Sequence, residues 1–328
     1  MLTVLLLGAR RRVYFINKLR NELEISGRSF KLIYADTDYL DPAGKFCDEA
    51  ILVPRLNDED YRSKLVSIVK QHKIDLIIPW NDREISFIND MRDELTKVGA
   101  ICVLPPHNIV ELFTNKYLTA EWCGKKNIQH PNTVKVSREL NPDNLGEISY
   151  PCIIKPIFGQ GSLGVSEIES PAELKDWLTN KFRDGFILQQ KVYGVEYTVD
   201  VALRNGDIVF QSPRRRIKVR GGECMISKIE ITDLITSFVK DICSNFDFSG
   251  VFNLQIFVDK SSNEISLIEF NPRFGGGSDL TVEAGGNIPY TLLSIYDPDS
   301  KYWSGFSNYN PTINDGLLMS RFSESVFF

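Results

Sequence analysis

The stretch Val251–Arg273, VFNLQIFVDKSSNEISLIEFNPR, decides how the chain is read. Two apolar runs, Val251–Val258 and Ile265–Phe270, flank the polar segment Asp259–Glu264, which is the pattern of an antiparallel hairpin. Asn253 and Gln255 lie two apart on the first strand, and Glu269, Asn271 and Arg273 lie two apart on the second. Successive side chains of a strand alternate between faces, so each set shares one face. If the two faces coincide, a carboxylate, amide groups and a guanidinium line one pocket. Oxygen ligands of this kind suit Mg²⁺, which takes one or two carboxylates together with substrate phosphates. Arginine presents a planar fork to phosphate or carboxylate oxygens. The competing reading is a solvated polar face. Leu267, Ile268, Phe270 and Phe274 weigh against it, because a carboxylate beside a guanidinium in apolar surroundings is costly unless paired or used.

Upstream, Gly159-Gln160-Gly161-Ser162-Leu163-Gly164 lies between two predicted strands, Cys152–Lys155 and Gly164–Ile168. Glycines let a backbone approach an anion, and consecutive N–H groups can cradle phosphate. No Gly-Lys-Ser/Thr closes the loop, so it is not the strand–loop–helix phosphate loop, and alone it reads equally as a flexible hairpin. Lys155 on the incoming strand strengthens the phosphate reading. Ile187–Glu196 leaves a strand and turns, exposing backbone donors and acceptors of the kind adenine needs; in isolation it is also an ordinary surface turn. In Arg214-Arg215-Arg216-Ile217-Lys218-Val219-Arg220, strand alternation places Arg214, Arg216, Lys218 and Arg220 on one face. That face reads as an anion-binding strand or as a charged, aggregation-resistant edge.

The first third alternates short apolar strands with helical stretches: Val4–Leu7, Lys31–Tyr34, Leu76–Pro79 and Ile101–Leu104 as strands, and Val13–Glu24, Tyr61–Gln71 and Ile85–Val98 as helices. Such alternation predicts an α/β leading domain built on a doubly wound parallel sheet. Pro105-Pro106 ends that unit. Beyond it, one helix is expected over Ile109–Lys125. An α+β region with antiparallel sheets follows, including a hairpin around Arg204-Asn205-Gly206-Asp207 and a final strand in the tail from Leu317. The expected units are residues 1–112, the leading domain; 113–190, a lid-bearing subdomain; and 191–328, the subdomain with the metal and phosphate site.

At 328 residues the chain is too long for one simple domain. Its net charge of −5 gives no basic footprint for nucleic acid. Six cysteines without CxxC spacing and only three histidines argue against structural zinc and for free thiols in a reducing, cytoplasmic setting. The apolar Leu2–Gly8 precedes rather than follows Arg10–Arg12, and it is too short to span a membrane, so no membrane association is expected.

Taken in order, these pieces resemble the ATP-grasp superfamily on its carbamoyl-phosphate-synthase-like side. The resemblance rests on Asp75–Pro79 with Asp82 and Glu84, Asn115-Lys116-Tyr117-Leu118, Ile153–Pro156, the glycine loop, Gln189–Glu196, Asn253–Gln255 and Glu269–Arg273. It implies that Lys116 and Lys155 contact ATP phosphates beneath a lid formed by Gly159, Gly161, Ser162 and Gly164. It implies that Gln189, Gln190 and Val192 meet adenine, that Glu196 meets ribose, and that Gln255, Glu269 and Asn271 hold Mg²⁺, with Mn²⁺ as a substitute. Arg273, Arg220 and Lys155 would act on the transferred phosphate or the substrate. Gln190 stands where the family often has Glu, and Gln255 is a neutral ligand. There is one grasp module, so full carbamoyl phosphate synthesis is not expected. Gly275-Gly276-Gly277 looks more like the superfamily's amino-acid ligases, with room left for a substrate.

The implied activity joins a small-molecule carboxylate to an amine through an acyl phosphate, releasing ADP; a homodimer is common among such proteins. Two other readings fit the same pocket: a nucleotide-binding regulatory protein without turnover, and carbamate or carboxyphosphate chemistry. A nicotinamide-dependent oxidoreductase needs GxGxxG after the first strand, where this chain has Gly8-Ala9-Arg10-Arg11-Arg12.

Overall fold

The computed structural model of the chain describes residues 1–327. The first sheet is formed by β1 (Leu2–Leu7), β2 (Phe30–Asp36), β3 (Glu49–Leu52), β4 (Leu76–Pro79) and β5 (Ile101–Cys102), all parallel, in the order β3-β2-β1-β4-β5. Helices α1 (Val13–Ile25), α2 (Tyr61–His72), α3 (Asp82–Asp90) and α4 (Arg92–Lys97) cover it. Every residue of β1 is buried, and its period of two divides the core. Leu2, Val4 and Leu6 pack with Phe15, Leu19 and Leu23 of α1, while Leu5 and Leu7 pack with Leu65, Val69, Ile85 and Ile88 on the other face. The doubly wound α/β expectation is met. The short edge strand β3 is an addition to the expected strands: its apolar run Ala50–Val53 is brief, ends at Pro54, and alternates between half-buried and exposed residues over Glu49–Leu52.

The expected single helix over Ile109–Lys125 is instead two, α5 (His107–Thr114) and α6 (Lys116–Lys126). Asn115 leaves helical geometry at φ −101°, ψ 102°, and its side chain accepts from the amides of Tyr117 and Leu118. A side-chain cap competes here with helix continuation. The break makes Lys116 the first residue of α6. The predicted helix over Ile85–Val98 is likewise divided, at Met91.

A four-stranded antiparallel sheet follows: β6 (Thr133–Lys135), β7 (Cys152–Pro156), β8 (Ser166–Ile168) and β9 (Phe186–Gln190), in the order β6-β9-β7-β8, backed by α7 (Pro171–Asn180). The third sheet, also antiparallel, consists of β10 (Val195–Arg204), β11 (Asp207–Arg220), β12 (Glu223–Ile229), β13 (Gly250–Val258), β14 (Ile265–Asn271) and β15 (Leu318–Ser320), in the order β14-β13-β10-β11-β12-β15. Helices α8 (Asp233–Cys243), α9 (Ser278–Glu283) and α10 (Ile288–Tyr296) pack on it. The β10–β11 turn has Asn205 and Gly206 both at positive φ, 50° and 84°, the geometry whose twist suits a two-residue hairpin. The tail supplies β15 as expected, pairing with β12, which the sequence reading did not foresee.

Aromatic packing helps hold the third sheet to the first. Phe274 stacks on Phe15 of α1 with ring centroids 4.3 Å apart and meets Trp80 edge-on at 4.6 Å. In the sheet itself, Arg214 of β11 forms a bidentate pair with Asp200 of β10, Nε to Oδ2 at 2.9 Å and Nη2 to Oδ1 at 3.1 Å. Both are buried, at 1% and 0% exposure. The Thr281 hydroxyl of α9 donates to Asp200 Oδ2 at 2.6 Å.

Removing one partner of such a pair strands the other charge in the interior. Asp200→Ala is therefore expected to lower unfolding free energy by about 3–5 kcal/mol, read by urea denaturation. Breaking the exposed Lys301–Asp299 pair by Lys301→Ala is expected to leave the same measurement almost unchanged.

Candidate active site

The β13–β14 register sets Asn253 opposite Asn271 and Gln255 opposite Glu269. Their pairing as cross-strand neighbours brings the two expected faces together. A bulge after Gln255 leaves Ile256 opposite Leu267, so Ile268 is the extra residue on β14. Asn253 is buried. Its amide donates to Arg273 O at 2.7 Å, and its Oδ1 accepts from Asn271 Nδ2 at 3.1 Å. Asn253 thus fixes the backbone at Arg273, while Gln255 and Glu269 sit opposite each other and half-buried.

Three cations surround Glu269. Lys116 Nζ is 3.5 Å from Glu269 Oε2. Burial opposes ionisation of Glu269, but the charges of Lys116, Lys155 and Arg273 outweigh it and hold the carboxyl below its ordinary range. Lys155, on β7 and 6% exposed, shows the reverse balance. Burial pulls its pKa down to about 8, Glu269 opposes that fall, and Lys116 adds to it.

The glycine loop closes over this cluster. Lys116 Nζ donates to Gly159 O at 2.8 Å. Gln160 Oε1 accepts from Arg273 Nη2 at 3.1 Å and from the Asp82 amide at 3.3 Å. Gly161 lies against Gly222, in the β11–β12 turn, so closely that a Cβ at Gly222 would collide with its backbone. Arg273 is fully engaged: Nε meets Asp82 Oδ1 at 2.7 Å, and Nη2 also reaches Asn271 Oδ1 at 3.3 Å. Asp82, at the start of α3, thus carries the first sheet into the site. The sequence reading noted Asp82 and Glu84 without giving either a place here. Glu84 lies elsewhere, against Gly8, where burial raises its pKa to about 7.

Other expected residues are placed less directly. The Gln189 side chain is buried and donates to Thr133 Oγ1 at 2.8 Å, on the β6 side. Gln190 Oε1 accepts from the Ser149 amide at 2.7 Å. Neither side chain is free to face a base, and any recognition in this segment falls to backbone groups around Lys191 and Val192. Gly194 holds φ at 142°, where a Cβ would collide with Val258 O, so the turn is pressed onto the end of β13. Glu196 pairs with Arg216 at 3.3 Å; burial raises its pKa, Arg216 lowers it, and Glu269 raises it further.

The common face expected for Arg214, Arg216, Lys218 and Arg220 is not formed. The β11–β12 register shifts twice, between Arg216 and Lys218 and again before Val219, which breaks the alternation. Arg214 is buried against Asp200, Arg216 bonds Glu196 and Gly222 O, and Lys218 and Arg220 are exposed. The space expected beside Gly275–Gly277 is also taken. Side chains at Gly275 and Gly277 would collide with the Arg214 guanidinium, and one at Gly276 with that of Arg12.

The donor set fits a divalent cation of the Mg²⁺ type: one half-buried carboxylate whose pKa is held below its ordinary range, with Gln255 opposite it and Asn271 two residues on. With a single carboxylate, the rest of the charge must come from a polyanion, which the two lysines and Arg273 are placed to receive. Among the described residues, no group of three or more His, Cys, Asp and Glu could hold a metal, no helix is long and apolar enough to cross a membrane, and all six cysteines are free thiols.

Residues 4–103 match the family model of the PylC-like N-terminal domain, and residues 182–305 match that of the ATP-grasp in the biosynthetic pathway with Ter operon. The ATP-grasp enzyme fsqD of Aspergillus fumigatus is 26% identical over 182 residues, 52% of this chain and 30% of that protein. A carbamoyl-phosphate synthase of Methanobrevibacter smithii is 22% identical over 251 residues, 73% of this chain and 66% of that protein. The chain thus spans about a third of the first relative's length and about two thirds of the second's. Among solved structures, the L-amino acid ligase of Bacillus licheniformis superposes with TM-score 0.71 at 17% identity, covering 95% of this chain and 78% of that one. The biotin carboxylase domain of Hydrogenobacter thermophilus 2-oxoglutarate carboxylase, solved with MgADP and bicarbonate, gives 0.73 at 15%, covering 90% and 70%. These likenesses establish the fold. The two family models matched in chain order, with the parallel leading sheet and the two antiparallel sheets that follow it, support an ATP-grasp superfamily protein.

Proposed function

We propose that the chain is a Mg-ATP-dependent ligase that activates a small-molecule carboxylate as an acyl phosphate, releases ADP, and passes the acyl group to an amine. The observation that carries this reading is the ionised Glu269 held among Lys116, Lys155 and Arg273 under the glycine loop. Transfer of a phosphoryl group needs alignment and charge neutralisation rather than a protein nucleophile. Lys116 and Lys155 receive the nucleotide phosphates. In doing so Lys116 gives up its contacts with Glu269 and Gly159 O, so binding and loop movement are coupled. A divalent ion on Glu269, Gln255 and Asn271 would neutralise phosphate charge. Arg273, buttressed by Asp82 and Asn271, orients the attacking carboxylate and stabilises the charge that develops on the transferred group. The carboxylate oxygen forms a bond to γ-phosphorus as the bond to the β–γ bridging oxygen breaks. The amine then attacks the acyl carbon and phosphate leaves. The names of similar proteins, among them a carbamoyl-phosphate synthase, an N5-carboxyaminoimidazole synthetase and an L-amino acid ligase, support the same reading.

Two outcomes are expected. Glu269→Ala should reduce ADP release, screened over a panel of carboxylates with amines, by a factor of about 100 or more, the scale of losing a phosphate-site electrostatic group; unchanged turnover would remove Glu269 from the site. Because Lys155 acts as a cation and its pKa in the free protein is lowered to about 8, kcat/KM for ATP should fall as pH rises through about 8. Lys155→Arg, which keeps its charge, should abolish that alkaline limb in whatever activity it retains, as read from pH–rate profiles.

A further inference from the structure

Outside the phosphate cluster, two arginines from opposite ends of the chain converge on one backbone oxygen. Arg12 lies between β1 and α1, and Arg321 follows β15. Arg12 Nη1 donates to Gly276 O at 3.0 Å, and Arg321 Nη2 donates to the same atom. Arg321 also meets Asp279 Oδ2 at 3.0 Å. The carboxylate nearest Arg12 is Glu223, at 4.0 Å, and it is held more closely by Arg11 at 3.4 Å. Both side chains are largely covered, with 21% of Arg12 and 19% of Arg321 exposed. The Arg12 pKa is lowered to about 10, chiefly by burial and then by the charge of Arg321, with Arg273 adding to the fall and Glu223 and Asp279 opposing it.

Arg321 has Asp279 as a direct partner, but Arg12 has only the more distant Glu223, shared with Arg11, and two guanidiniums meeting at one neutral acceptor with one of them so weakly compensated are an unfavourable arrangement by themselves. Each guanidinium has five N–H donors in a planar fork; Gly276 O engages each residue, and Asp279 engages Arg321 as well. The remaining donors match the paired oxygens of a carboxylate or phosphate. Gly276 itself stands three residues beyond Arg273, and a side chain there would collide with Arg12. The charge of Arg273 is felt at Arg12, so the arginine pair lies within electrostatic reach of the place where the activated carboxylate would lie.

We infer that Arg12 and Arg321 form a second anion subsite, which holds a further acidic group of the substrate whose carboxylate is activated at Arg273. The substrate is then a dianion, either a dicarboxylate or a phosphorylated carboxylate. Its role as substrate rests on the ligase reading; the subsite itself rests on the two arginines. It also explains the presence of the leading domain and of the tail in one site, since each contributes one arm of the clamp.

The test is calorimetry on the full chain with Mg-ADP, titrating succinate, phosphoglycolate and acetate. At least one dianion should bind about tenfold or more tightly than acetate, the size expected of one charge-assisted pair. Which dianion binds better identifies the second group as carboxylate or phosphate. Arg12→Gln and Arg321→Gln should each remove that preference while leaving Mg-ADP affinity unchanged. Arg321→Gln, out on the tail, carries the test if Arg12→Gln does not fold. Equal binding of acetate and both dianions, absence of dianion binding, or an undiminished preference in folded Arg321→Gln would overturn the subsite. Failure of Mg-ADP to bind the unaltered chain, with the dianion preference intact, would instead overturn the ligase reading and leave the subsite standing.

Discussion

Asp200 and Arg214 are taken wholly out of water between β10, β11 and α9, and the position of the reactive groups follows from how that burial is compensated. A buried guanidinium needs all its edges filled. Asp200 fills one, and the backbone of Gly275–Gly277 closes on the rest, so tightly that neither Gly275 nor Gly277 can carry a side chain. This fixes the chain just after Arg273. Asn253 fixes it just before, through Arg273 O, and Phe274 locks into the aromatic contact with Phe15 and Trp80. Arg273 is thereby clamped from both sides, with its guanidinium turned toward Asp82 and Gln160.

The cluster around Glu269 has a charge balance that an anion completes. Lys116, Lys155 and Arg273 contribute three positive charges against Glu269 and Asp82. The cost of the excess shows at Lys155, whose proton is loosened by burial. In the form described here the contacts are made internally: Lys116 on Gly159 O and Glu269, Arg273 on Gln160 and Asp82. The same donors that would hold phosphates now hold the loop down. Nucleotide binding and loop position therefore draw on one set of hydrogen bonds, and Gly222 against Gly161 sets how far the loop can descend.

Much of this was readable from the residues, for physical reasons. Period-two spacing placed Asn253 with Gln255 and Glu269 with Asn271, and the short Asp259–Glu264 turn left the hairpin little choice of register. The all-buried β1 and β4 announced the parallel sheet. Other features had no local signal. The same alternation rule failed at Arg214–Arg220, because two bulges that no residue pattern marks reset the faces. Arg214 reads as one more basic residue until Asp200, on the neighbouring strand, is known to sit beneath it. The break at Asn115 was legible in principle, since Asn is a strong helix cap, but a continuous apolar face on either side concealed it. Asp82 and Gln160 reach Arg273 from 191 and 113 residues away, a closeness that comes from packing the first sheet, and the loop of the second, against the third.

The claim at the centre of this account is that Lys116, Lys155, Glu269 and Arg273 form a site for the polyphosphate of a metal-bound nucleotide. Calorimetric titration of the chain with ATP and AMP, each with and without Mg²⁺, addresses it without knowledge of the other substrates. The account predicts saturable binding of Mg-ATP that weakens when Mg²⁺ is chelated, and AMP binding weaker by at least about tenfold, the equivalent of roughly 1.4 kcal/mol. Equal affinity for AMP and ATP, or ATP binding indifferent to Mg²⁺, would contradict it.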